Sequence, residues 1–174
     1  MNTWAAEAKF LKAYYHFLLF TYYGPIPIVD ENLPISASDT EVRVKRRTVD
    51  ESVAYIVETI DEALIHLPAR VLSSNDLGRI DQVIAKGIKS RVLTYAASPL
   101  FNGNSEMYSG FVNEDGEHFF NQSYDQTKWD LAREASLDAI VTAIENGVGM
   151  YEFTSAPPNY EDEYEEEEFI QTLY

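Results

Sequence analysis

Residues 4–22 read Trp4-Ala5-Ala6-Glu7-Ala8-Lys9-Phe10-Leu11-Lys12-Ala13-Tyr14-Tyr15-His16-Phe17-Leu18-Leu19-Phe20-Thr21-Tyr22, and this stretch decides the fold. Trp4, Ala8, Leu11, Tyr15, Leu18 and Tyr22 recur at alternating steps of four and three, which places them on one face of an α-helix. Phe10, Tyr14 and Phe17 widen that face until most of the circumference is apolar. Such a helix needs cover on more than one side, so it is expected at the centre of a bundle with the Trp4 row in the core. Gly24-Pro25 ends it, since proline has no amide hydrogen to continue the ladder and glycine accepts a left-handed exit.

The segment 24–47 holds three of the seven prolines and a Ser-Ala-Ser-Asp-Thr cluster, and reads as an ordered, irregular crossing. Thr48-Val49-Asp50-Glu51 then forms a capping box: the Thr48 hydroxyl accepts from the third helical amide, and Glu51 reaches back to the Thr48 amide. The second helix carries the stripe Val53, Ile56, Val57, Ile60, Ala63, Leu64 and Leu67 and closes at Pro68. Asp81 caps a third helix with Ile84, Ile88, Val92, Tyr95 and Ala96 on its apolar face. Lys86, Lys89 and Arg91 lie on its other face, where solvent or acidic neighbours are expected. A fourth helix starts near Lys128, turns Trp129, Ala132, Ala135, Ala139, Ile140, Ala143 and Ile144 inward, and stops at a left-handed Gly147. No strand pattern appears, so the class is all-α. The second and third helices start about 33 residues apart, near the period of tetratricopeptide-type hairpins.

The net charge is −16, with 13 Lys and Arg against 29 acids, which argues against nucleic-acid partners because a phosphate backbone needs clustered cations. Seven of the acids fall in 161–168, so residues 1–160 carry −9 and form the helical domain, with 161–174 an acidic, weakly ordered tail. Without cysteine, thiol catalysis, disulfides and Cys-based zinc sites are excluded for this stretch. The first residues lack the basic-then-apolar pattern of a signal peptide, and no apolar run is long enough to span a bilayer. No nucleophile elbow, zincin pair, P-loop or dinucleotide fingerprint occurs. Neither a catalytic residue, a metal ligand nor a cofactor is therefore expected. Asn113-Glu114-Asp115-Gly116-Glu117 offers oxygens that calcium tolerates but lacks the EF-hand register, and reads as a solvated turn. Arg43, Lys45, Arg46 and Arg47 form a basic cluster expected to pair with the acidic surface.

Ala6-Glu7-Ala8-Lys9-Phe10-Leu11-Lys12-Ala13-Tyr14-Tyr15-His16-Phe17, followed by Tyr23-Gly24-Pro25-Ile26-Pro27-Ile28-Val29, resembles the signature helix and exit turn of the SusD/RagB family. Ile60-Asp61-Glu62-Ala63-Leu64, Gly78-Arg79-Ile80 and Tyr95-Ala96-Ala97-Ser98-Pro99-Leu100-Phe101-Asn102-Gly103-Asn104 continue the resemblance in order. Asp81-Gln82 departs from it, standing where many members place a Thr-Lys or similar pair. Membership implies tetratricopeptide-like helices and a non-catalytic subunit that captures oligosaccharides or other nutrients at the bacterial outer-membrane surface. It also implies a TonB-dependent transporter of the SusC type as partner, and a lipid anchor on a Cys that this chain does not contain, so that the chain resembles an internal segment.

A glycan site needs aromatic faces for sugar C–H groups and side-chain amides for hydroxyls. The insert between the third and fourth helices, 98–127, supplies both, and Phe101, Asn102, Asn104, Tyr108, Phe111, Asn121 and Tyr124 are the candidate ligand contacts. The competing reading of each aromatic is that it staples a long loop to the helices. Two other functions compete for the whole chain: a helical-repeat module that binds a protein partner, and an all-helical glycan-active enzyme with two inward carboxylates.

Overall fold

The computed structural model describes residues 2–150; the expected domain boundary at 160 and the acidic tail lie outside them. The elements are α1 (Thr3–Tyr23), α2 (Asp39–Val42), α3 (Val49–Leu64), a 3-10 turn (Ser74–Asp76), α4 (Gln82–Ala97), α5 (Ser105–Tyr108) and α6 (Gln126–Glu145). The described residues contain isolated β-bridges but no strand, so the fold is all-α. Helix α1 packs on α3, α3 on α4, and α4 most extensively on α6, as successive helices do in a tetratricopeptide-like array.

Local chemistry sets the helix ends. Asn2 Oδ1 accepts from Ala5 N at the start of α1, and at its end the Gly24 amide, at φ 68°, returns to Phe20 O at 2.9 Å. The Thr48–Glu51 box is formed in both directions, with Glu51 N to Thr48 Oγ1 at 3.2 Å and Thr48 N to Glu51 Oε2 at 2.8 Å. Asp81 caps α4 through Ile84 N at 2.9 Å, and Gly147 leaves α6 at φ 66°. Two short helices escape the sequence reading. Ser38 and Glu41 make a second capping box that starts α2 inside the 24–47 crossing, and Asn104 caps α5 inside the insert. Single-turn helices carry no periodicity to detect.

The core corrects the expectation for α1. Its buried face is Ala6, Phe10, Ala13, Phe17 and Phe20, with His16 beside them, and the Trp4 row faces outward: Trp4 is 71%, Tyr15 59% and Tyr22 79% exposed. Both rows obey the same period, and the Phe row wins because its small Ala6 and Ala13 let α3 approach while three phenylalanines fill the space between. Burying each phenylalanine contributes on the order of 2 kcal/mol. His16 is held in this face by Nδ1 contact with Lys12 O at 2.8 Å and by its edge against Tyr55, ring centroids 5.1 Å apart.

Helix α6 needs a similar correction. Trp129, Ile140 and Ile144 are exposed, and the face toward α4 is the small one, around Ala132, Ser136 and Thr142. Ser90 and Ser136 meet hydroxyl to hydroxyl at 2.7 Å, an approach that a large side chain at either position would prevent. Lys86 reaches Asp138 Oδ1 and Thr142 Oγ1, each at 2.9 Å, and Lys89 reaches Asp61 on α3, so two of the three α4 cations pair with acidic neighbours.

The 24–47 crossing is pinned where it passes the helices. Lys12 donates to the carboxylate and carbonyl of Asp30, Tyr55 Oη donates to Asp30 Oδ1 at 2.9 Å, and Arg47 N donates to Ile26 O at 2.9 Å. The Lys12 ammonium holds the Asp30 carboxyl below the usual range, with the Tyr55 hydroxyl second, and Asp30 in turn raises Lys12.

Candidate functional site

The insert hangs from an aromatic chain that begins inside the helices. Phe101 packs on Phe20 and on Tyr95, ring centroids 5.0 Å apart in each case, and stacks on Phe120 at 5.7 Å. Tyr108 stacks on Phe120 at 3.8 Å with the rings 9° from parallel, and Phe111 meets Phe119 at 5.0 Å. Phe101 is only 4% exposed and Tyr108 is half-buried. Phe101 fastens the insert to α1 and α4, Tyr108 braces it through Phe120, and both have little face left for a ligand.

Asn102 is buried as well, and its amide is fully engaged. Nδ2 donates to Asp125 O at 2.9 Å and to Ala97 O at 3.4 Å, and Oδ1 accepts from Asp125 N at 2.8 Å, so one side chain joins the end of α4 to the cap of α6. Asn104 accepts from Met107 N at 3.2 Å to cap α5. Tyr124, 60% exposed, donates its hydroxyl to Gln126 Oε1 at 2.7 Å and keeps its ring in solvent. Phe111 is also partly exposed.

Asn121, one of the seven sequence candidates, lines a recess at the α3 cap. This recess, about 410 Å³, is bounded by Thr48 and Asp50 at the start of α3 and by Glu117, His118, Phe119, Phe120, Asn121 and Gln122 of the insert. Asn121 Oδ1 accepts from Ser123 N at 3.1 Å and Ser123 Oγ at 3.2 Å, and Gln122 Nε2 donates to Phe120 O at 2.8 Å. Polar donors and acceptors thus line the recess, over the buried rings of Phe119 and Phe120. The sequence reading missed Thr48, Asp50, Glu117 and His118 because a long-range contact assembles the wall: Val49 N donates to Phe119 O at 2.8 Å and draws the α3 cap onto the insert. No local pattern signals such a pairing.

A second depression, about 380 Å³, runs between α3, α4 and α6. Val53, Val57, Leu93, Ala96 and Leu131 form its apolar floor, and Asp50, Glu58 and Lys128 stand at its rim. Lys128 closes one end by pairing with Asp50 at 2.5 Å.

Several carboxylates among the described residues are held by nearby donors. Hydrogen bonds from Thr48 hold Glu51 below the usual carboxylate range, and those from Thr127, with Lys128 nearby, do the same for Asp125. Asn113 Oδ1 accepts from Asp115 N at 3.0 Å and Glu117 N at 2.8 Å, closing the 113–117 turn, and Lys45 pairs with Glu114 at 3.2 Å. Among the described residues no group of three or more His, Asp or Glu is arranged to hold a metal ion. Lys45 and Arg47, the latter 3.6 Å from Glu51, pair with the acidic surface as expected of the basic cluster.

Residues 1–93 match a family model described as SusD-like, starch-binding and associating with the outer membrane. The chain belongs to the SusD-like family. A solved structure named BT4246 is similar over 83% of this chain at 39% identity and a TM-score of 0.76. A SusD-like protein from Bacteroides fragilis matches 53% of the chain at 28% identity, covers 17% of its own length and has a TM-score of 0.48. A laminarin-binding SusD-like protein matches 53% at 27% identity, covers 19% of its own length and has a TM-score of 0.47. No curated protein matches the chain. The SusD-like chain described here spans about a quarter, 25%, of the length of BT4246.

Proposed function

We propose that this chain is part of a non-catalytic glycan-binding protein that captures oligosaccharides at the bacterial cell surface and delivers them to a SusC-like TonB-dependent transporter. Family membership supports the carbohydrate reading, since the family description is of starch binding and outer-membrane association. The observation that carries it to particular residues is the recess at the α3 cap. Its volume falls in the range of small-molecule sites, and it offers amides, carboxylates and an imidazole. In this reading Asn121 and Gln122 bind sugar hydroxyls, and the exposed ring of Tyr124 is a further stacking surface on the insert. Phe101, Asn102 and Tyr108 serve the site indirectly by holding the insert in place.

The non-catalytic part of the reading rests on family membership, since the family description is of binding. The apolar floor of the α3–α4–α6 groove favours one alternative, a module that seats a peptide there.

Affinity electrophoresis of the natural protein that carries this segment, against a panel of polysaccharides, separates the readings. Retardation by one glycan class without release of reducing sugar supports capture. Turnover abolished by a single carboxylate substitution would overturn the non-catalytic assignment, and failure to bind any glycan would favour the peptide groove.

A further inference from the structure

Helix α1 is 21 residues long and, apart from the buried His16, carries only three acidic or basic side chains, Glu7, Lys9 and Lys12. All three are turned sideways into the fold. Glu7 is gripped by Arg79 from the loop before α4, Lys9 pairs with Glu62 on α3, and Lys12 pairs with Asp30 of the crossing. The outward row through Trp4, Leu11, Tyr15, Leu19 and Tyr22 is therefore an apolar and aromatic strip to which α1 contributes no charge, about 30 Å long at the rise of an α-helix, with the Arg79 guanidinium 5.9 Å from the Trp4 ring centroid at one end. A helix that ends in solvent carries charged residues on its outer face. Helix α6 at the other side of the array does so, with Asp130, Arg133, Glu134 and Asp138 exposed among its apolar residues.

We infer that the outer row of α1 is an internal face, covered in the whole protein by a further helical layer of the same polypeptide. Three observations select that occupant. A strip depleted of charge and rich in large apolar groups has the composition of a permanent interface, whereas surfaces that meet partners transiently are no more apolar than the rest of a protein. An outermost repeat of a stacked helical array carries a polar outer face, and α1 lacks one, so another layer belongs outside it. The similar structure BT4246 is about four times as long as the part this chain matches, which provides chain to form such a layer. A lipid surface fits poorly, because the two lysines of α1 are already paired and the chain is acidic overall.

Hydroxyl-radical footprinting of the natural protein that contains this segment, read by mass spectrometry over a dilution series, tests the inference without any substitution. Trp4, Tyr15 and Tyr22 are expected to be oxidised at least tenfold more slowly than their exposure in this segment implies, at every concentration at which the protein sediments as a monomer. A photo-crosslinking amino acid in place of Tyr15 is expected to give an intrachain adduct to a peptide outside residues 1–174. Oxidation at the rate of solvent-exposed rings overturns the inference. Protection that disappears on dilution, or adducts only between chains, also overturns it and assigns the face to a second copy or a separate protein. Glycan binding plays no part in either readout, so the inference and the capture reading stand or fall separately.

Discussion

Gly103 lies directly against Tyr124: a Cβ on Gly103 would stand 2.5 Å from the Tyr124 amide nitrogen and 2.8 Å from its Cα. Gly103 also has a φ of 81°, a region that L side chains rarely adopt. The start of the insert and its return to α6 therefore touch backbone to backbone at this glycine.

Gly103→Ala is accordingly expected to destabilise the fold by at least about 2 kcal/mol, combining the left-handed penalty with the displacement of the Tyr124 backbone. Gly116→Ala is the internal comparison. Its φ of 82° is nearly the same, but a Cβ there meets nothing within 4 Å, so it should cost about 1 kcal/mol. Urea unfolding of the two variants measures the difference, and equal losses would remove the close approach from the account.

Phe101 and Tyr124 were indistinguishable as candidates in the sequence and should separate sharply in experiment. Phe101→Ala removes a buried ring packed on Phe20, Tyr95 and Phe120 and is expected to cost about 3–5 kcal/mol. Tyr124→Ala trims an exposed ring and should stay within about 0.5 kcal/mol of the parent. Thermal unfolding reads both, and a neutral Phe101→Ala would contradict the aromatic attachment of the insert.

Stability should fall on the acid side for a specific reason. Glu51 and Asp30 are held below their ordinary values of 4.5 and 3.8, so the folded chain binds fewer protons there than the unfolded chain. Their contribution is complete above about pH 5, where the unfolded groups are ionised too, and is lost as pH falls through the depressed folded values. Glu51→Gln keeps a capping-box residue that does not titrate. The gap in unfolding midpoint between the parent and Glu51→Gln should therefore shrink from pH 7 to pH 3, and a gap that stays constant would show that Glu51 is not the titrating group.

How much of this was legible in the sequence depends on the range of the interaction. The Thr48–Glu51 box, the Asp81 cap and the Gly147 stop are settled within four residues, and the structure has each of them. The stripe of α3 was readable because only one of its faces is apolar. Helix α1 was not, since two apolar rows share one period and the choice between them belongs to α3 and α4, which pack on α1, with Tyr95 of α4 against Phe17 and Phe20. In α6 the larger residues Ile140 and Ile144 pointed the reading the wrong way, because the close approach of α4 selects Ala132 and Ser136. The recess was out of reach for a similar reason: the Val49–Phe119 hydrogen bond that brings Asp50 to Asn121 spans 70 positions of chain.

The most direct test of glycan capture is calorimetric titration of the natural protein carrying this segment with the glycan class that retards it, beside its Asn121→Ala/Gln122→Ala variant. The account predicts binding that weakens at least about tenfold in the variant, or about 1.4 kcal/mol, while the variant stays folded and its unfolding temperature falls only by the small amount that loss of the Ser123 and Phe120 hydrogen bonds implies. Undiminished affinity in a well-folded variant would contradict the placement of the sugar in the recess at the α3 cap.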